Sequence, residues 1–224
     1  IDSALALKTF YNFKLSRVQI LEAARHAEQG FLGRNRGIFD HIVSLFSTHG
    51  QLILLDTRSL EYRYISFPAK YGAFLITDSR VPQQYVESEY EQRRKDSKRC
   101  IDSLNHGKEG ESLREFTVRD INESLGSIPE MTRRRCLHVL KENQRVMDAE
   151  NLIHKRDIED FGRVLTHSHD SLRDQYEVSC PEIDWLVKRS IEIPGVYGSR
   201  LTGAGFGGCM VSLLDDGAID NYKS

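Results

Sequence analysis

No run of apolar residues in this chain is long enough to span a bilayer, so a membrane-spanning helix is excluded. Cysteine is scarce and scattered: Cys100, Cys136, Cys180 and Cys209 stand far apart and none forms a C-x-x-C pair. A zinc site and a disulfide framework are therefore not indicated, and mostly buried free thiols of a reducing compartment are expected. A surplus of one charge is also missing. The 31 Lys and Arg against 33 Asp and Glu leave a net charge of −2, which gives no electrostatic case for nucleic acid or an anionic membrane as partner. There is no signal-peptide pattern, internal repeat or low-complexity stretch.

What is present is the profile of a globular protein with a real core: 224 residues, 39% apolar and 29% charged. The chain opens abruptly. Ile1–Phe10 already has helical periodicity, with no cap in front and no initiator Met, and Ser224 follows shortly after a strand. A fragment of a longer chain is expected.

Periodicity predicts helices over Ile1–Phe13 and Ser16–Gly30, with Ser16 as N-cap, and a third starting near Gly37 and running through Ile42, Leu45 and Phe46. Gln51–Asp56, Tyr62–Phe67 and Ala73–Asp78 are β-branched or apolar runs bounded by turn residues and predict strands. Helical patterns follow over Glu87–Leu104, Arg114–Leu125, Thr132–Glu150 and Arg156–Leu172, the last with Asp157 near its start. Pro181 suits the first turn of a further helix. The composition shifts softly near Pro68.

The densest signal is Ser199–Cys209, S-R-L-T-G-A-G-F-G-G-C, with Gly203, Gly205, Gly207 and Gly208 between strand-like segments. Glycines packed this closely allow φ > 0 and let another backbone or a phosphate come near. No Gly-Lys-Ser/Thr follows, so this is not a Walker loop, and the glycines open no helix, so it is not a dinucleotide fingerprint. Spacing alone fits a kinked strand pair as well as a ligand loop. In a second constellation Gly37 and Asp40, three apart, share one face at a helix start. The carboxylate could accept a hydroxyl proton, although Asp is commonplace in a first helical turn. Tyr90, preceded by Ser88 and Glu89 and followed by Arg93 and Arg94, reads by itself as an amphipathic-helix tyrosine, and the two arginines as surface or ion-pair residues. His167 and His169, two apart on a helix, point to different faces, which disfavours a shared metal. Asp215 and Asp216 read as a solvated strand end.

The letters of the glycine segment resemble the third signature of the galactokinase branch of the GHMP small-molecule kinases. Ala27-Glu28-Gln29 through Gly33, then Asn35, Gly37, Ile38 and Asp40, resembles that family's catalytic-aspartate segment, and Ser88-Glu89-Tyr90 its sugar-contacting tyrosine segment. Leu54–Leu60, His138–Arg145 and Ser168–Asp184 match further stretches for which a structural role is expected. The resemblance covers essentially the whole chain in order. It lacks the family's early sugar motif, its Ser-rich phosphate loop and its extreme C-terminus.

The resemblance implies an α+β, two-domain GHMP kinase fold truncated at both ends. Residues 1–68 would complete the N-terminal domain and 69–224 would form a ferredoxin-like C-terminal domain. It implies transfer of the ATP γ-phosphate to the anomeric hydroxyl of galactose with Mg²⁺ in the cytoplasm, with Asp40 catalytic, Gly37 and Tyr90 on the sugar, and the glycine loop beside the phosphates. No metal ligand is assigned within the chain, which is expected to be inactive alone. Two alternatives stay open: a related kinase for N-acetylgalactosamine, arabinose or a uronic acid, and a non-catalytic sugar and ATP sensor. The chain departs from the family at His41, where Gln is usual, and at Pro82, where Lys or Arg is usual, with Arg80 two residues earlier as a substitute cation. A cation lost near transferring phosphates would weaken transition-state stabilisation.

Overall fold

Local capping and alternation explain most element boundaries in the computed structural model, which describes residues 1–31, 33, 38–83, 86–105, 110–124 and 126–224. The architecture is α+β, and the chain divides into two compact units, Ile1–Ala69 and Lys70–Ser224.

In the first unit α1 (Asp2–Phe10) precedes α2 (Arg17–His26). The Ser16 hydroxyl accepts from the Gln19 N–H at 3.2 Å, and the Gln19 side chain accepts from the Ser16 N–H at 2.8 Å, a reciprocal capping box. The helix expected to run to Gly30 changes winding at Ala27 and continues as a π-helical turn, Ala27–Phe31. After α3 (Phe39–Phe46), the strands β1 (Gln51–Leu55) and β2 (Tyr62–Ser66) pair antiparallel, with Gln51 opposite Ser66. Asp56 Oδ1 accepts from the Arg58 and Ser59 N–H groups and so shapes the connecting turn. Ile20 and Leu21 of α2 pack against Ile42, Leu45 and Phe46 of α3, with Ile53 and Leu55 beneath.

The second unit is built on a three-stranded antiparallel sheet in the order β3 (Ala73–Asp78), β5 (Cys209–Leu214), β4 (Val196–Leu201). Its helices are α4 (Val86–Leu104), α5 (Val118–Glu123), α6 (Glu130–Lys155), α7 (Ile158–Ser171), α8 (Pro181–Ile191) and α9 (Ile219–Lys223). The order strand, helices, strand, strand, helix follows the ferredoxin-like pattern through its fifth element. Both α7 and α8 pack on β4, α6 packs on α7, and α4 packs on α6.

Two local devices fix the α7–β4 contact. A Cβ on Gly198 would fall 1.8 Å from the Gly162 carbonyl oxygen, so the helix lies on the strand at a distance that only glycine permits. The Ser199 N–H then donates to Thr166 Oγ1 at 3.2 Å and the Leu201 N–H to His169 Nδ1 at 3.3 Å. Side chains of α7 thus take up ladder donors that an edge strand would leave open.

In the first unit α1 also stops at Phe10, short of the expected Phe13, and two helices of the second unit differ from expectation. The helix expected over Arg114–Leu125 is a 3₁₀ turn, Leu113–Glu115, followed by α5, because Thr117 and Asp120 form a capping box that restarts the helix; Leu125 lies outside the described residues. Helix α6 runs on to Lys155 instead of stopping near Glu150. It ends where Arg156 turns left-handed (φ 62°), and Asp157 then accepts from the Asp160 N–H to cap α7.

Candidate active site

The loop between β4 and β5 is pinned from two sides. The Phe206 N–H donates to the Val178 carbonyl at 2.7 Å, and a Cβ on Gly205 would fall 2.3 Å from that oxygen. On the other side the Gly208 N–H donates to the Val81 carbonyl at 3.1 Å, and a Cβ on Gly207 would fall 2.6 Å from it. Ser79 N–H and Oγ both donate to the Gly208 carbonyl, at 2.9 and 2.6 Å, and Gln83 Nε2 donates to the Gly205 carbonyl at 3.2 Å. Gly205 and Gly207 are glycines because other backbones press on them at positive φ, 86° and 118°. Gly203 differs. It also has positive φ, 79°, but is exposed, and nothing lies within 4 Å of where its Cβ would be. Of the four loop glycines, Gly203 is the one open to an incoming group.

The turn that carries Val178 is held by charge. The π-helical turn Leu172–Tyr176 ends on Glu177, which is left-handed at φ 57°. The Glu177 carboxylate accepts from Arg134 Nη2 at 2.9 Å and from Arg135 Nη2 at 2.8 Å. Arg135 Nη1 donates to Asp96 Oδ2 at 2.5 Å, and Thr132 Oγ1 lies 3.3 Å from Asp96 Oδ1. Burial works against the Arg135 charge, and the Asp96 and Glu177 carboxylates outweigh it. Arg93, expected as a surface or ion-pair residue, is the latter, and it is only 3% exposed. Its Nη1 donates to Glu89 at 2.7 Å, its Nε to the Tyr176 carbonyl at 2.9 Å and its Nη2 to the Glu177 carbonyl at 2.6 Å. Arg94 stays exposed, 3.8 Å from Glu91.

Tyr90 lies one turn before Arg93 on α4 and is 40% exposed. Tyr90, Arg93, Ser97, Lys98 and Tyr176 are among the residues lining an open cleft of about 590 Å³. Pro82 and Arg80 lie on the Ser79–Gln83 segment that braces the glycine loop. Both are exposed, and Arg80 is left-handed at φ 56°.

Asp40 belongs to the first unit. It stands exposed in the first turn of α3, and its backbone carbonyl accepts from the Ser44 hydroxyl at 2.8 Å. The neighbouring His41 has a partner: its Nε2 lies 2.8 Å from Glu28 Oε2, tying α3 to the Ala27–Phe31 turn. Gly37, with Asn35 and Arg36, lies outside the described residues.

The remaining matched stretches have structural partners. His138 Nδ1 lies 2.8 Å from Ser171 Oγ, and its ring stacks on Tyr176 with centroids 4.5 Å apart. Burial would raise the Glu142 carboxyl, but the Ser168 hydroxyl and the Arg200 and Arg145 guanidinium groups hold it below the usual range. His169 is buried and His167 exposed, as their spacing implied. All four cysteines are free; Cys100 and Cys136 are buried, and Cys180 and Cys209 are half-buried. Asp215 accepts from the Gly217 N–H and so caps a 3₁₀ turn.

Sequence reasoning did not find Arg93, Arg135, Asp96 and Glu177 as supports of the loop. For Arg93 a signal existed, since i, i+3 spacing puts it on the face of Tyr90. For Glu177 there was none.

Residues 149–223 match the family described as GHMP kinases C terminal. Over nearly its whole length the chain is similar to galactokinases. It is 36% identical over 99% of its length to the galactokinase of Roseiflexus sp. (strain RS-1), covering 58% of that protein. It is 40% identical over 91% of its length to the Homo sapiens galactokinase, covering 50% of it. Lactococcus lactis galactokinase complexed with galactose superposes with a TM-score of 0.88 at 27% identity, over 97% of this chain and 56% of that one. The mevalonate kinase of L. major, at a TM-score of 0.61 and 16% identity, shares the fold. The chain thus spans roughly half to three-fifths of the length of the curated relatives it matches.

Proposed function

We propose that the protein containing this chain transfers the γ-phosphoryl group of ATP to the anomeric hydroxyl of galactose, giving galactose 1-phosphate. The observation that carries the proposal is the agreement with galactokinases along nearly the whole chain, in sequence at 36% identity and in fold at a TM-score of 0.88. The unit boundary between Ala69 and Lys70 supports assigning the first unit to the N-terminal domain of the kinase and the second to its C-terminal domain.

In this reading Asp40 accepts or orients the proton of the anomeric hydroxyl, which sharpens it as a nucleophile. Its exposure in a helical first turn leaves the carboxylate accessible to a sugar. Gly37 and Tyr90 contact the sugar. The exposed backbone at Gly203 lies beside the phosphates, while Gly205, Gly207 and Gly208 hold the loop in shape. Phosphoryl transfer depends chiefly on positioning and charge stabilisation, so a rigid loop is the useful contribution of this unit. Mg²⁺ would accompany ATP. Among the described residues no group of three or more His, Cys, Asp or Glu side chains could hold a metal ion by itself. No helix among the described residues is long and apolar enough to cross a membrane. We place the reaction in the cytoplasm because ATP is the proposed donor.

The test is ATP turnover by the whole protein with galactose, N-acetylgalactosamine, arabinose and galacturonate. The proposal expects galactose to give the highest kcat/KM. Preference for another sugar would move the substrate, and sugar and ATP binding without turnover would contradict the proposal outright.

A further inference from the structure

Arg93 joins three segments that are far apart in sequence. Its guanidinium donates to the carbonyls of Tyr176 and Glu177, at 2.9 and 2.6 Å, and to Glu89 on its own helix. Its Cζ lies over the Phe206 ring, 5.6 Å from the centroid, and over the Tyr176 ring, 5.9 Å from the centroid. Phe206 is the one non-glycine residue of the loop at positive φ, 59°, a conformation that needs support from its surroundings. That support is visible: the Phe206 N–H is bonded to Val178, one residue beyond the carbonyls that Arg93 holds, and its ring is covered by the same guanidinium. A lysine could not reproduce this, because one ammonium cannot offer a planar fork to the two carbonyls.

We propose that Arg93 is the positioning residue of the glycine loop. It locks the 176–178 turn and the Phe206 ring to α4, so that the loop and the helix bearing Tyr90 act as one body. The Glu177 carboxylate also ties the turn to α6 through Arg134 and Arg135. The kinetic half of the proposal rests on the loop lying beside the phosphates of ATP; the conformational half does not.

The test is amide hydrogen exchange on the whole protein, wild type against Arg93→Met, read together with the KM for ATP and for galactose. The proposal expects the Phe206 amide to exchange about tenfold faster, while the amides of Ile153 and Leu213, buried residues outside the cluster on which Phe206 packs, keep their protection. It also expects the KM for ATP to rise about tenfold, with a smaller change for galactose. Arg93→Lys should give part of both effects, and it is the variant to read should Arg93→Met not fold. Unchanged exchange at Phe206 would overturn the proposal. So would uniform acceleration at all three amides, which would mean that Arg93 contributes only to overall stability. Faster exchange at Phe206 with an unchanged KM for ATP would uphold the positioning role and count against the phosphate-site assignment made above.

Discussion

Placing one methyl group at two loop glycines separates shape from ligand access. In Gly205→Ala the new Cβ meets the Val178 carbonyl oxygen at 2.3 Å while the backbone sits at φ 86°. The left-handed backbone costs an L-residue about 1–2 kcal/mol. Relieving the overlap adds about 1–3 kcal/mol, the usual range for overpacking. Moving Val178 away also stretches the Phe206 N–H bond, worth about 1 kcal/mol. A loss of about 4 kcal/mol follows. Gly203→Ala incurs only the backbone term, about 1–2 kcal/mol, because its Cβ meets nothing within 4 Å. Part of that is returned by the reduced freedom of the unfolded chain, about 0.4–1 kcal/mol. Urea unfolding followed by fluorescence should therefore show a large shift for Gly205→Ala and a small one for Gly203→Ala. The KM for ATP should rise in Gly203→Ala despite its intact fold. Equal destabilisation by the two substitutions would refute the reasoning, as would a stability-neutral Gly205→Ala.

Two further predictions concern single side chains. Asp40→Asn should lower kcat by roughly 10²–10⁴ with little change in melting temperature, because Asp40 is exposed and its one described bond uses the backbone; a variant retaining most of its kcat would remove Asp40 from the mechanism. Burial pushes the His138 imidazole down to about 4, opposed by Glu142 and assisted by Arg145 and Arg200. The unfolded state then binds the extra proton between about pH 6.5 and 4, so stability should fall with pH across that window, by on the order of 3 kcal/mol. Urea midpoints measured across that range should show this slope, and His138→Gln should flatten it; a slope unchanged in the variant would contradict the assignment.

Much of the fold was legible because its signals are local. The runs Gln51–Leu55, Tyr62–Ser66 and Ala73–Asp78 alternate or branch as strands do, and Ser16 and Asp157 cap helices with their own side chains. Thr117 and Asp120 carried the same kind of capping signal within a continuous helical pattern, and the pattern masked it. The support of the site was not legible, because it depends on partners far away in sequence. Arg93 is buried by carbonyls 83 and 84 residues distant. The glycine cluster announced a loop, but its letters could not say that Val178 and Val81 claim Gly205 and Gly207 while Gly203 stays open. His41 likewise read as a departure from a family pattern until its Glu28 partner was in view.

The central claim is that phosphate reaches the anomeric oxygen of galactose. It is tested most directly by incubating the whole protein with ATP and galactose carrying ¹³C at its anomeric carbon, then recording the ³¹P spectrum of the products. The account predicts a sugar phosphate resonance split by the labelled carbon, formed only when galactose is present and absent in Asp40→Asn. Phosphate on any other hydroxyl, or ATP consumed with no sugar phosphate formed, would contradict it.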